Sequence, residues 1–142
     1  MVHQTRLTIL TAHLAAHEGV AHYKARNDSV REILRGARPN PKHLLGYDAA
    51  MVSHHMIVMG DLNYRVRLHA VSDETQESQV ARALELVQAG DFETLYRQDE
   101  LLAGLQNKEV LCQFQTLPCH FSPTFKVLRQ EGFHYKTQRI PR

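Results

Sequence analysis

The sequence predicts an α/β fold, and three observations carry that reading. Residues 6–14 alternate in a β-branched, apolar pattern, residues 18–34 repeat at helical spacing, and a second apolar run at 55–59 is closed by Gly60. Strand, helix and strand in that order sketch a β-α-β unit.

Each element follows from its side chains. In the first stretch Leu7, Ile9, Thr11 and His13 alternate with Thr8, Leu10, Ala12 and Leu14. Apolar residues fall on both faces, which predicts a strand covered on both sides and ending near His13. From Glu18 to Leu34 the positions Ala21, Ala25, Val30, Ile33 and Leu34 form a helical stripe, and Gly36, Pro39 and Pro41 supply its stop. The run His55 to Met59 predicts a second buried strand. Ser72, followed by Asp73 and Glu74, reads as a helix start with acids in the first turn, and Val80, Ala83, Leu84 and Val87 continue that helix to Gly90. Asp91 is placed to cap another helix carrying Leu95, Leu102 and Leu105 on one side, with Gly104 weakening its end. Residues 109–115 alternate as a strand, after which Pro118, Pro123 and Pro141 divide the chain into loops. No repeat, low-complexity tract or linker interrupts the 142 residues, so one domain is expected.

Composition narrows the function classes. The chain is 43% apolar and 23% charged, which fits a globular domain rather than a collagenous, disordered or disulfide-dense one. Apolar runs such as Met56–Met59 are far too short to cross a bilayer, and the N-terminus lacks a basic-then-apolar secretory layout, so a cytoplasmic protein is expected. A net charge of +2 argues for neither nucleic acid nor membrane by itself. The distribution is more informative, because residues 120–142 carry Lys126, Arg129, Lys136, Arg139 and Arg142 against the single acid Glu131. Such a segment serves either as a face for an anionic ligand or as a solvated edge. Cys112 and Cys119 are read as free thiols, and no fourth zinc ligand accompanies them and His120.

The densest chemistry lies in Gly60-Asp61-Leu62-Asn63-Tyr64-Arg65, directly after the second strand. If the chain stays extended, Asp61 and Asn63 project to one face while Leu62 turns inward. A carboxylate beside an amide suits phosphate-ester hydrolysis, since the carboxylate can deprotonate a water and the amide N–H can hold a phosphoryl oxygen. The same residues are also ordinary turn formers. His13 ends the first strand and so opens onto the same sheet edge as Asp61. Lys126 is a single cation in a Pro-Thr-Phe-Lys loop.

Taken in order, His13-Leu14-Ala15-Ala16-His17, Arg26-Asn27-Asp28, Gly60 to Arg65, Asp99-Glu100-Leu101, Pro123-Thr124-Phe125-Lys126 and Arg139-Ile140-Pro141 resemble the inositol polyphosphate 5-phosphatases. That family is a branch of the endonuclease/exonuclease/phosphatase superfamily. The resemblance spans nearly the whole chain. It implies a partial two-sheet α/β sandwich and a magnesium-dependent phosphatase that removes the 5-phosphate of inositol polyphosphates or phosphoinositides. By position, Asp61 matches the residue that helps activate the attacking water, Asn63 and His13 those that hold the scissile phosphate, and Lys126 with Arg139 those that contact the neighbouring 4-phosphate. Phe125 stands where the family has Tyr, keeping the ring and losing a hydroxyl.

Similar enzymes also carry an upstream magnesium-binding glutamate and a downstream Ser-Asp-His, neither of which is present here. Residues 1–142 are therefore expected to be the central part of one catalytic domain, truncated at both ends and inactive alone, with the main Mg2+ ligand absent and no metal-ligating residue assigned. The expected partners are an inositol phosphate or phosphoinositide, with peripheral association at a membrane surface and no nucleic acid. The alternative reading is a non-catalytic remnant or phosphoinositide-binding module. A nuclease is disfavoured by the charge of +2 and the lack of a basic stripe with interleaved aromatics.

Overall fold

The computed structural model describes residues 4–37, 47, 49–68, 75–132 and 134–142. Two compact units divide the chain, residues 1–63 and 64–142.

The first unit contains β1 (Leu7–His13), α1 (Val20–Gly36), α2 (Ala49–Val52) and β2 (His55–Asp61). The strands pair in parallel, with Leu7 opposite His55, Ile9 opposite Ile57, Thr11 opposite Met59 and His13 opposite Asp61. This is the β-α-β unit expected from the sequence. Its entry is tied by Arg6, whose carbonyl accepts from the amides of His54 and His55 and whose guanidinium donates to the Val52 carbonyl at 2.6 Å. Gly60 is required at the far end. A Cβ there would lie 2.1 Å from the Ala12 carbonyl oxygen, and its φ of 129° is a region that L side chains rarely adopt.

The strands are not buried on both sides. Thr8, Leu10, Ala12, Met56 and Val58 are half-buried, whereas Leu7, Ile9, Ile57 and Met59 on the opposite face are 42–56% exposed. Two-sided apolar patterning reports which side chains favour burial, and among the described residues of this unit none covers the second face. The stops expected at Pro39 and Pro41 lie outside the described residues, and α1 runs through Gly36 to a cap at Ala37.

The second unit holds α3 (Gln76–Gln88), α4 (Phe92–Arg97) and α5 (Glu100–Gln106). Each helix has a side-chain cap. Thr75 accepts from the Ser78 amide, Asp91 from the Thr94 amide, and Asp99 from the amides of Leu101 and Leu102. The helix start expected at Ser72, Asp73 and Glu74 lies outside the described residues. Leu68, Ala83 and Leu95 form the core, with Val66, Leu86, Val87 and Ile140 packed against it. The single helix expected to carry Leu95, Leu102 and Leu105 is two helices. The break falls where the Arg67 amide takes the Gln98 carbonyl at 2.8 Å and Asp99 begins α5. The strand expected at 109–115 is likewise absent. Val110 and Leu111 are adjacent and both buried, in a turn held by the Gly104 carbonyl, with φ of 58° at Lys108 and 49° at Leu111.

Two carboxylates set the energetics of this unit. Glu100 is buried, accepts from the Arg65 amide at 3.0 Å and pairs with the half-exposed Arg67 guanidinium. Its removal strands a buried N–H, which costs about 1–3 kcal/mol, while the partly solvated ion pair adds little. Glu100→Ala is therefore expected to destabilise the unit by about 2 kcal/mol in urea unfolding, and an unchanged midpoint would refute this.

Asp99 behaves differently. Burial pushes its carboxyl above the ordinary 3.8, against the opposing pull of the Leu102 and Leu101 amides. The folded state thus keeps a proton that the unfolded chain has already lost, so stability present below the ordinary value is lost as pH rises through the raised one. Asp99→Asn retains an acceptor oxygen without the charge. The variant should gain stability relative to wild type as pH rises from about 4 toward neutrality, measured as the difference in Tm across that range. A difference independent of pH would contradict it.

Candidate active site

The last rung of the parallel ladder gathers the first group of candidates. His13 and Asp61 face each other on the exposed side of the sheet, with Nε2 3.7 Å from Oδ2 and side chains 77% and 58% exposed. This is the carboxyl end of both strands, where open parallel α/β sheets bind ligands. The Leu14 amide donates to the Asp61 carbonyl at 3.0 Å and continues the ladder by one bond. Asp61 Oδ1 accepts from the Asn63 amide at 3.2 Å, closing an Asx-type turn.

Asn63 does not follow the extended geometry anticipated for Gly-Asp-x-Asn. Its φ is 56°, its side chain is buried, and its Nδ2 donates to the Leu14 carbonyl at 2.9 Å. Asp61 faces solvent while Asn63 is drawn under the turn that leaves β1. The Asx turn bends the chain at Leu62, so the two side chains do not share a strand face. The motif is the turn that its residues allowed, and that turn leaves the Asp61 carboxylate exposed.

Beneath that turn lies a residue to which the sequence analysis gave no role. Arg26 on α1 is fully buried, and its Nη1 donates to the Ala15 carbonyl at 3.3 Å and the His17 carbonyl at 2.9 Å. Arg26 shares the helix face of Val30 and Ile33 at i+4 and i+7. A cation on an otherwise apolar stripe is the signal that could have marked it.

Lys126 and Arg139 belong to the second unit. Lys126 is exposed, and its backbone is fixed by Lys136, whose amide donates to the Lys126 carbonyl at 2.9 Å. Phe125 and Arg142 exchange amide bonds of 2.9 and 2.7 Å, and the Arg142 guanidinium lies 4.5 Å from the Phe125 ring centroid. Tyr135 Oη donates to the Pro123 carbonyl at 2.6 Å, and burial pushes its phenol upward, partly offset by a hydrogen bond with Ser122. The Pro-Thr-Phe-Lys loop is thus anchored on both sides of Lys126. Arg139 is exposed in the segment that returns to Arg142.

A family model described as Endonuclease/Exonuclease/phosphatase family 2 matches residues 1–142. The chain belongs to that family. Over 127 residues it is 28% identical to the type II inositol 1,4,5-trisphosphate 5-phosphatase of Mus musculus, covering 88% of this chain and 12% of the relative. Over 135 residues it is 30% identical to the type I inositol polyphosphate 5-phosphatase 5 of Arabidopsis thaliana, covering 88% and 22%. The inositol polyphosphate 5-phosphatase domain of SPsynaptojanin, solved with inositol (1,4)-bisphosphate and calcium ion, superposes with a TM-score of 0.69 at 26% identity, covering 95% of this chain and 36% of that one. The fold is therefore of the endonuclease/exonuclease/phosphatase type, to which the described residues contribute one two-stranded parallel sheet and five helices. The relatives are the 5-phosphatases that the motif order indicated, and the chain spans less than two fifths of each of these three. No helix among the described residues is long and apolar enough to cross a membrane.

Proposed function

We propose that residues 1–142 supply part of the active site of a phosphatase that removes the 5-phosphate of inositol polyphosphates or phosphoinositides, within a longer polypeptide. The observation that carries this is the His13–Asp61 rung, solvent-facing at the carboxyl end of the parallel pair, in a chain whose relatives are named as 5-phosphatases.

On this reading Asp61 takes a proton from the attacking water as the water oxygen bonds to phosphorus. The phosphorus–oxygen ester bond breaks, the departing inositol oxygen takes up a proton from solvent to become the hydroxyl, inorganic phosphate leaves, and Asp61 returns its proton to solvent. His13 Nε2 holds a phosphoryl oxygen, and the buried Asn63 amide, assigned to the same phosphate by the resemblance, holds the Leu14 carbonyl and with it the turn behind His13. Lys126 and Arg139 answer the 4-phosphate, the lysine as a point charge and the arginine as a two-pronged donor.

Magnesium dependence is proposed of the longer polypeptide, where the ion would neutralise phosphoryl charge. Among the described residues no three His, Cys, Asp or Glu side chains gather; the Mg2+ ligand that the resemblance implies lies outside these 142 residues. The 142-residue chain alone is accordingly expected to release no phosphate.

The test is phosphate release by the polypeptide that carries this chain, with Mg2+ and either soluble inositol 1,4,5-trisphosphate, the substrate named for the mouse relative, or vesicles containing a 5-phosphorylated phosphoinositide. Release supports the reading. Saturable binding of either ligand without release favours the alternative, a phosphoinositide-binding module.

A further inference from the structure

The chemistry proposed above requires His13 and Asp61 to keep one geometry, yet both stand on the last rung of a two-stranded ladder, where fraying is easiest. The turn that follows is itself unfavourable. His17 has a φ of 81° and Gly19 a φ of 107°, and a non-glycine residue in that region persists only when its surroundings enforce it.

Two buried polar side chains supply that enforcement from opposite directions. From the end of β2, Asn63 Nδ2 takes the Leu14 carbonyl at 2.9 Å. From α1, Arg26 Nη1 takes the Ala15 and His17 carbonyls at 3.3 and 2.9 Å. Leu14, whose amide donates to the Asp61 carbonyl, is 5% exposed between them. Arg26 is 0% exposed, and burying a guanidinium is costly unless carbonyl partners are set around it. Two of those carbonyls belong to the segment directly after His13.

We propose that Arg26 is a positioning residue, which locks the turn at Leu14–His17 through its carbonyls and thereby holds His13 in register with Asp61. This role rests on the reading of Asp61 and His13 given above. It acts through the backbone, and Arg26 touches neither reacting group.

The test uses the polypeptide that carries this chain. Arg26→Met keeps the aliphatic bulk and removes the donors. It is expected to lower kcat by about 10–100-fold with KM changed by less than about threefold, because misplacing a reacting group by a fraction of an ångström to 1 Å has costs of this order. In proton–nitrogen spectra of the histidine rings, the His13 signal should shift or broaden. The His54 signal should stay in place, since its Nδ1 accepts the Arg6 amide at the opposite end of the sheet. Arg26→Lys, which keeps one charged donor group, should restore part of both readouts. A folded Arg26→Met protein with unchanged kcat and an unmoved His13 signal overturns the proposal. So do equal disturbances at His13 and His54, which would mark a purely structural arginine. If Arg26→Met does not fold, Arg26→Lys is judged by the same measurements, with an intermediate loss supporting the role and no change opposing it. The ring spectra need no substrate, so a wild-type protein without phosphatase activity would remove the functional reading while the spectra still decide the positioning.

Discussion

Asp61→Asn is expected to lower turnover by roughly 10²–10⁴-fold in the polypeptide that carries this chain, with substrate binding much less affected. The substitution nearly preserves size and keeps an oxygen to accept the Asn63 amide at the Oδ1 position, so the turn should survive. What it removes is the basic Oδ2 that faces His13 at 3.7 Å on the open side of the sheet. A loss confined to kcat, with KM near wild type, identifies a group that acts as the proton moves. Near-normal turnover in the purified variant would take Asp61 out of the mechanism and leave it only its place in the turn.

Lys126→Ala is expected to weaken the specificity constant by roughly 10- to 150-fold for substrates bearing a 4-phosphate, the value of one charged phosphate contact at about 1.5–3 kcal/mol. Substrates without that phosphate should lose little. The local backbone does not depend on the side chain, since the Lys136 amide bonds the Lys126 carbonyl and the flanking Phe125 is held by both amide bonds to Arg142. The comparison therefore reads the ammonium group rather than a collapsed loop. Equal losses for both substrate types would make Lys126 a general electrostatic residue and remove its 4-phosphate assignment.

Much of the fold was legible because its signals are local. The period-2 stretch before His13 and the run from His55 gave both strands within two residues of their ends, and Asp91 announced the start of α4. What was not legible depends on contacts distant in sequence. Leu7, Ile9, Ile57 and Met59 are apolar and yet half-exposed, because alternation records a side chain's preference and not whether another layer meets it. The break between α4 and α5 needs Arg67 to reach Gln98 from thirty-one residues away. Val110 and Leu111 sit in an alternating stretch, but burying two neighbours at once requires a turn.

The candidate site divides along the same line. Asp61 and His13 could be placed together because strand ends in a β-α-β unit share an edge. The left-handed backbone at Asn63 and the buried Arg26 could not, since each is defined by carbonyls of the Leu14–His17 turn. Lys126 and Arg139 came from motif order alone, and the bonds of Phe125 to Arg142 and of Lys126 to Lys136 became visible only in the structure.

The most direct measurement is the position of the phosphate released. Inositol 1,4,5-trisphosphate, named for the mouse relative, is incubated with Mg2+ and the polypeptide carrying these residues, and the product is resolved by chromatography against positional standards. The predicted product is inositol 1,4-bisphosphate, the ligand named in the SPsynaptojanin structure, formed by wild type and nearly lost in Asp61→Asn. A bisphosphate lacking the 1- or 4-phosphate, or equal release by wild type and Asp61→Asn, would contradict the assignment of this chain to 5-phosphate hydrolysis through Asp61.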